Sequence, residues 1–290
     1  MTENNIKEII VQQLNEQVNH IKDCSKGVEQ KVFIATTTTN KKYVIKHPQK
    51  NEMIFREVFA CNMLKNKIPV PEIIHSTNEY VIESYINGND LNEITLTETE
   101  EEKIYTQLGE ILAIIHSHKT EAYGAIMPNG KGKHSNLKNF SLYNEHTLNK
   151  LRKAYLSSGE TKQLQIFFEK NEHYFNNTTS VLLHYDFINS NIRINNNSVS
   201  GIIDFGDLAA GCPALDFAWI YIHHYNKKAF NYILKGYAKE VDINEIKFFA
   251  ACNLVWFITY EKTKNAALQK LNMLNNIVGF KSSFKLFGKW

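Results

Sequence analysis

Three side chains rich in hard oxygen, and one histidine, fall within a short stretch of this sequence. His184, Asp186 and Asn191 make the pattern HxDxxxxN, and Asp204 follows inside IIDFGD. The residues between them read as strand, loop, short strand, turn, strand. Val181-Leu182-Leu183 is an apolar run that ends at His184, and Ile192-Arg193-Ile194 alternates apolar and polar. Asn195-Asn196-Asn197 supplies the turn, because Asn tolerates left-handed backbone and bonds its own main chain. Val199 to Ile203 is a second apolar run, and it delivers Asp204 into Phe205-Gly206-Asp207. Such a hairpin sets an Asp and an Asn at one mouth with a second Asp beside them. That cluster suits Mg²⁺, which takes a few carboxylate or carbonyl oxygens and completes its shell with phosphate.

These residues resemble the catalytic and metal-binding loops of the protein-kinase-like fold. That fold carries a catalytic-loop Asp, an Asn on Mg²⁺ and a DFG Asp on Mg²⁺. The two motifs lie close together here, with no activation segment and no APE motif. In this the chain is similar to the aminoglycoside phosphotransferase and choline kinase-like family, whose members read HGDxxxxN, IDFGD or IDW, then GDPxxDLA. The last part reads GCPALDFA here, from Gly211 to Ala218. A lone DFG carries little information, but HxDxxxxN followed at this distance by IIDFGD is specific.

The resemblance implies an α+β, bilobal protein-kinase-like fold. An N-terminal lobe with an antiparallel sheet and a helix spans residues 1–87, hinge included, and a larger, mainly helical lobe spans 88–290. It implies ATP or GTP as phosphate donor, Mg²⁺ as cofactor and a small-molecule hydroxyl as acceptor. It makes Asp186 the catalytic base, and Asn191 and Asp204 the metal ligands. His184 braces the loop. Asp207 caps a turn or supports the metal ligands, and Asp216 caps a helix or bonds back to the catalytic loop; for both, the structural role is favoured.

The elements that must position these residues can be read in order. The chain has 290 residues, room for one large domain or two lobes. A net charge of +3 with scattered Lys and Arg is too mild for nucleic-acid binding. The four cysteines, Cys24, Cys61, Cys212 and Cys252, form no CxxC pair, which excludes a zinc or disulfide framework. MTENNIKEII does not read as a signal peptide, and Phe248 to Tyr260 is too short an apolar run to span a bilayer. A cytoplasmic protein without membrane partners is expected.

Thr2 caps a first helix with Ile6, Ile9, Ile10 and Leu14 on one face. Gln17 to Lys46 holds three strands. A turn at Ser25-Lys26-Gly27 can lay backbone N–H groups over phosphates, though it is no GxGxxG and an ordinary hairpin turn explains it equally. YVIK ends at Lys46 and resembles the kinase VAIK, whose Lys reaches the α and β phosphates. Asn51 to Lys65 is helical in pattern. On it Glu57 can pair with Lys46, and Glu52 is the rival partner. Two strands follow, from Glu72 to Thr77 and from Glu79 to Ser84. In the family, Glu83-Ser84-Tyr85-Ile86 before Asn87-Gly88 would be the hinge whose backbone meets the purine edge. Ser25, Gly27, Lys46, Glu57, Glu83 and Tyr85 are therefore the candidate nucleotide-binding residues.

Thr97 or Thr99 caps the next helix, with acids in its first turn and a core stripe of Ile104, Leu108, Ile111, Leu112 and Ile115. His116 and His118, at its end, read as capping or surface groups. The stretch from Pro128 to Asn139 reads as a loop. Helices are expected at Ser141 to Leu156 and Thr161 to Phe175, and after the hairpin at Asp216 to Tyr237 and Ile243 to Leu274.

Two positions depart from the family pattern. Tyr185 stands where HGD has Gly, and Cys212 where GDP has Asp; neither is a metal ligand in the scheme. The acceptor is an aminoglycoside by resemblance. Choline, a macrolide, homoserine or another metabolite stays open, because Lys outnumbers acid in the second lobe. Trp219, Tyr221, Tyr225, Trp256, Phe257 and Tyr260 either line a pocket or, more commonly at helical spacing, form core. Glu261 is the acid expected nearest a cationic acceptor. A nucleotide-binding pseudoenzyme is the alternative class. Lys46, Glu57, Asp186, Asn191 and Asp204 all carry the residue types of an active kinase, which argues against it.

Overall fold

The computed structural model describes residues 1–25, 30–142, 144–223 and 228–280. Helix α1 (Glu3–Leu14) starts at Thr2, whose side chain accepts from the Asn5 amide, and buries Ile6 and Ile10. Strands β1 (Val18–Asp23), β2 (Gln30–Thr37) and β3 (Lys42–Pro48) form an antiparallel meander. Helix α2 (Asn51–Leu64) follows, then β4 (Ile73–Ser76) and β5 (Val81–Ser84). The sheet runs in the order β1-β2-β3-β5-β4, so β5 returns beside β3 and sets Lys46 opposite Val81. One face of the sheet packs on α1 through Ile21, Phe33, Ala35, Ile45 and Ile82. The inner face of α2, with Ala60, Cys61 and Leu64, joins a different and larger core that continues through the rest of the chain. We propose the division between lobes after Asn87, three residues past the end of β5.

Beyond that point a short β6 (Asn89–Asp90) leads to helix α3 (Glu98–Ile115), capped by Thr97 and Glu100 in a reciprocal capping box. The stripe expected on α3 is buried. Where a loop is expected at 128–139, part of a hairpin forms instead: β7 (Tyr123–Ile126) pairs β8 (Gly132–His134), and α4 (Leu137–Phe140) follows. Helices α5 (Glu145–Tyr155) and α6 (Ser158–Asn171) come next. The second starts earlier than Thr161, because Ser157 and Glu160 make a capping box. Strand β9 (Val181–Leu183) precedes the hairpin of β10 (Ile192–Asn195) and β11 (Ser198–Ile202). Its turn residues Asn196 and Asn197 both have positive φ, 50° and 54°, the backbone that a two-residue hairpin turn of matching twist requires.

Strand β12 (Ala209–Gly211) pairs with both β7 and β9. Helices α7 (Ala214–His223) and α8 (Lys228–Tyr237) are followed by α9 (Ile243–Tyr260) and α10 (Lys264–Val278). The helical stretch expected from Ile243 to Leu274 is divided between α9 and α10. Thr263 starts α10 by accepting from the Ala266 amide. Among the described residues no helix is long and apolar enough to cross a membrane.

The tightest helix contact is between α3 and α8, where backbone meets backbone. A Cβ on Gly236 would stand 1.9 Å from the Thr106 carbonyl oxygen, and one on Gly109 would stand 2.1 Å from that of Ile233. Alanine gains about 1 kcal/mol of helix propensity over glycine. Separating two packed helices costs about 3 kcal/mol at the upper end of overpacking. Overpacking wins, so Gly236→Ala should lower unfolding stability by about 2 kcal/mol. Denaturant titration checks this, and a neutral or stabilising result would mean that the helices do not approach so closely.

Candidate active site

The hairpin and sheet together wall a cleft of about 720 Å³. Ser25, Lys46, Glu83, Tyr85, Asp186, Asn191 and Asp204, named from sequence, all line it. Glu57 lies behind it, and Gly27 lies outside the described residues. Ser25 Oγ accepts from the Val32 amide, and the Ser25 amide donates to Asp23 Oδ1, so side chains hold the turn start. Tyr85 sits under the Lys42 ammonium, 5.2 Å from the ring centroid.

Lys46 Nζ is 2.6 Å from Glu57 Oε1 and 3.1 Å from Glu83 Oε2, with all three side chains buried. The rival Glu52 is exposed. Burial alone would pull the Lys46 ammonium towards neutrality. The charges of Glu57, Glu83 and Asp204 outweigh it, and Lys46 titrates well above its ordinary range. Sequence assigns Glu83 to the hinge through its backbone; its side chain turns back to Lys46 instead.

Asp186 and Asn191 meet directly. Asn191 Nδ2 donates to Asp186 Oδ2 at 2.7 Å and to the Asp186 carbonyl at 2.9 Å. With its side-chain nitrogen so committed, Asn191 Oδ1 is the atom left to face a ligand. The strand geometry brings Asp204 alongside, because the Ile203 amide donates to the main-chain carbonyl of Asn191. Burial pushes the Asp186 carboxyl up, opposed by His184 and by the Asn191 hydrogen bond. Burial raises Asp204 as well, opposed chiefly by Lys46. Among the described residues no group of three His, Cys, Asp or Glu side chains forms a metal cage. One amide oxygen and one carboxylate suit a hard ion that retains water and phosphate, and do not suit zinc. The donor set therefore fits Mg²⁺.

Two residues here hold left-handed backbone, Tyr185 at φ 64° and Asp204 at φ 68°. Asp visits that region readily; a bulky residue does so at a cost of about 1–2 kcal/mol. The Tyr185 ring offsets this by packing 4.8 Å from Phe140 and 6.0 Å from Trp219. The loop backbone is fixed by Asp216, in the first turn of α7 and fully buried. Its Oδ1 accepts from the Tyr185 amide at 2.8 Å, and its Oδ2 accepts from the His184 amide at 3.0 Å. Of the two roles left open for Asp216, bonding back to the loop is the one observed. His184 Nε2 lies 3.2 Å from the Ile203 carbonyl, so it ties the two motif loops together. Asp207 is exposed and acts electrostatically on Arg56.

Sequence reasoning missed two participants. Arg56 of α2 donates from Nη1 to the Gly206 carbonyl at 2.7 Å and from Nε to that of Ile126 at 3.3 Å, which clamps α2 to the IDFGD loop. His116 is the C-cap residue of α3, its amide donating to the Leu112 carbonyl, but its ring is not on the surface. It is buried, with Nε2 3.0 Å from Asp216 Oδ2 and Nδ1 3.0 Å from the Tyr237 hydroxyl. No local signal marks either, since their partners lie at least 70 residues away. His118 does cap α3, through the Ile114 carbonyl. Cys212 is fully buried and feels the charge of Glu245, which accepts from Asn177. Glu261 does not line the cleft; it ends α9 and pairs with Lys270 at 2.5 Å. Trp219, Tyr221, Trp256 and Phe257 are half-buried and Tyr260 is exposed, while Tyr225 is outside the described residues.

A small sheet with its charged helix, a cleft, and a mainly helical part carrying the paired loops make up the protein-kinase-like architecture. Residues 20–241 match the phosphotransferase enzyme family, and the chain belongs to it. No curated protein matches the sequence. Among solved structures, a thermostable mutant of aminoglycoside phosphotransferase APH(4)-Ia, in ternary complex with AMP-PNP and hygromycin B, is similar. It has a TM-score of 0.74 and 14% identity, covering 95% of this chain and 98% of that one. The gentamicin complex of APH(2")-IIa gives a TM-score of 0.63 and 19% identity over 94% and 96% of the two chains. A putative fructosamine-3-kinase from Thermobifida fusca gives 0.69 and 14% over 96% and 98%. At these identities the likeness establishes the fold.

Asp216→Asn keeps the shape but turns an amide NH₂ towards a backbone N–H. The variant should lose about 3 kcal/mol of stability, as expected when hydrogen bonds to a buried charge are broken. Amide hydrogen exchange at Tyr185 should speed up. Unchanged exchange there would remove Asp216 as the brace of this loop.

Proposed function

We propose that the protein is a small-molecule kinase that transfers the γ-phosphate of ATP or GTP to a hydroxyl, with an aminoglycoside-type antibiotic as the first candidate acceptor. The observation that carries this is the convergence of Lys46, Asp186, Asn191 and Asp204 on one cleft, with Asp186 hydrogen-bonded to Asn191. The nucleotide lies in the cleft between β2, β3 and the Glu83–Ile86 segment, with its phosphates towards Lys46. Asn191 Oδ1 and the Asp204 carboxylate would hold Mg²⁺, which when bound would neutralise the charge of the transferring phosphates. Asp186 orients the acceptor hydroxyl and takes its proton. In a loose transition state positioning and charge do most of the work, so the rigidity that Asp216 and His184 give the loop matters more than proton affinity.

Aminoglycosides come first because hygromycin B and gentamicin are bound by structures of this fold. A less cationic hydroxyl compound is the second reading. It is favoured by the Glu261–Lys270 pair, which neutralises the acid expected to meet a polycation. The test is a transfer assay with labelled ATP and GTP across hygromycin B, gentamicin, streptomycin, a macrolide, choline and homoserine. Phosphorylation of none of them would count against both acceptor readings.

Two substitutions separate the roles. Asp186→Asn should leave nucleotide affinity nearly unchanged and lower turnover about 10²- to 10⁴-fold, the range for a general acid–base group. Equal rates from the two proteins with one acceptor would show that Asp186 is not the base. Asp204→Ala should abolish Mg²⁺-dependent nucleotide binding, measured by calorimetry, while circular dichroism stays unchanged. Wild-type turnover at ordinary Mg²⁺ would sink the metal assignment.

A further inference from the structure

Lys46 is flanked by two carboxyl groups, Glu57 from α2 and Glu83 from β5, at 2.6 and 3.1 Å. An ammonium has three N–H donors. Two are committed to these acids, and one remains for the cleft that Lys46 lines. A pairing with Glu57 alone would leave the end of the lysine side chain free to swing about that one contact. The second acid, on a different element, removes that freedom.

The charges decide the form of Glu83. With both acids ionised, the three side chains would carry a net negative charge inside the protein, facing the place reserved for phosphates. A buried uncompensated charge is costly, and a group in that position neutralises instead. Glu83 Oε1 is enclosed with no donor to accept from. It neighbours the Glu57 carboxyl, which offers an acceptor. A proton on Oε1 resolves both difficulties: the orphaned acceptor becomes a donor to Glu57, and the trio becomes neutral. The other titratable groups that face it are Lys46 on β3, Cys61 on α2 and, through Lys46, Asp204 on the hairpin loop. Burial holds the Cys61 thiol neutral.

We propose that Glu83 is a positioning residue, engaged as the neutral acid, that holds Lys46 against Glu57 and aims its remaining N–H into the cleft. This rests on the reading of the cleft as a nucleotide site and goes beyond a backbone role for the hinge. Burial drives the Glu83 carboxyl well above the ordinary glutamate value of 4.5, more than Lys46 draws it down, and Glu57 adds to the rise. A raised carboxyl binds its proton more tightly in the folded state. Its contribution to stability is therefore full below 4.5 and is lost as pH rises through the folded value.

The test compares wild type, Glu83→Gln and Glu83→Leu, with Mg²⁺·AMP-PNP as probe. Difference infrared spectra of wild type minus Glu83→Gln at neutral pH should show the carbonyl stretch of a protonated carboxyl. This readout needs no nucleotide. Calorimetric affinity of wild type should fall as pH rises through the Glu83 titration, because the trio then turns negative beside the phosphates. Glu83→Gln should bind within about twofold of wild type at neutral pH and lack that fall, because a neutral amide copies a neutral acid. Glu83→Leu should bind about tenfold more weakly, the equivalent of one hydrogen bond to a charged group. If the leucine variant does not fold, the comparison of Glu83→Gln with wild type across pH still decides. Absence of the carboxyl band would overturn the neutral form, and wild-type affinity in Glu83→Leu would overturn the positioning role. A wild type with the band that binds no nucleotide would instead overturn the reading of the cleft and the role built on it.

Discussion

One buried carboxylate governs the geometry of the candidate site. Asp216 has no access to water, so its oxygens must find donors inside the protein. They find the His184 and Tyr185 amides and the His116 ring. Because two of these donors are consecutive backbone N–H groups, the chain at 184–185 can take only a narrow range of conformations. The left-handed Tyr185 follows from that constraint, and Asp186 leaves the turn in a fixed direction. His116 and the Tyr237 hydroxyl extend the hydrogen bonding to α3 and α8. The close backbone contact of these two helices is thus linked to the loop that carries the proposed base.

A second constraint joins the sheet to the hairpin through α2. Glu57 on that helix meets Lys46, and the preceding residue, Arg56, holds the Gly206 carbonyl. Adjacent positions on a helix point about 100° apart, so one turn of α2 reaches the sheet and the IDFGD loop at once. The net stabilisation from a buried ion pair is often small, since desolvation offsets attraction. Its value here is positional: it fixes where the Lys46 ammonium stands relative to Asp204.

The two departures from the family pattern have local explanations. Tyr185 replaces a glycine in a left-handed position, and its ring is accommodated between Phe140 and Trp219. Cys212 replaces an aspartate and is fully buried, so a small apolar-tolerant side chain stands where the family has a carboxylate. Neither residue lines the cleft that Asp186, Asn191 and Asp204 share.

The sequence by itself determined the elements and most of the cleft. Apolar runs at 181–183 and 199–203 and the alternation at 192–194, with an Asn turn between the last two strands, were sufficient for the hairpin. The capping residues Thr2 and Thr97 and the apolar stripe on α3 are equally local signals. HxDxxxxN and IIDFGD named Asp186, Asn191 and Asp204, because a hairpin of fixed register brings such residues together whatever surrounds it. Helix starts at Ser157 and Thr263 were local too, yet a neighbouring apolar pattern masked them. Only the tertiary structure decided the long-range partners. His116 meets Asp216 across 100 positions and Arg56 meets Gly206 across 150. It also decided that Glu83, placed on a strand by sequence, would turn its carboxyl to Lys46 and not to the hinge. Such contacts depend on which buried polar groups are left needing a partner once the elements pack. That is a property of the assembled core, and no local pattern encodes it.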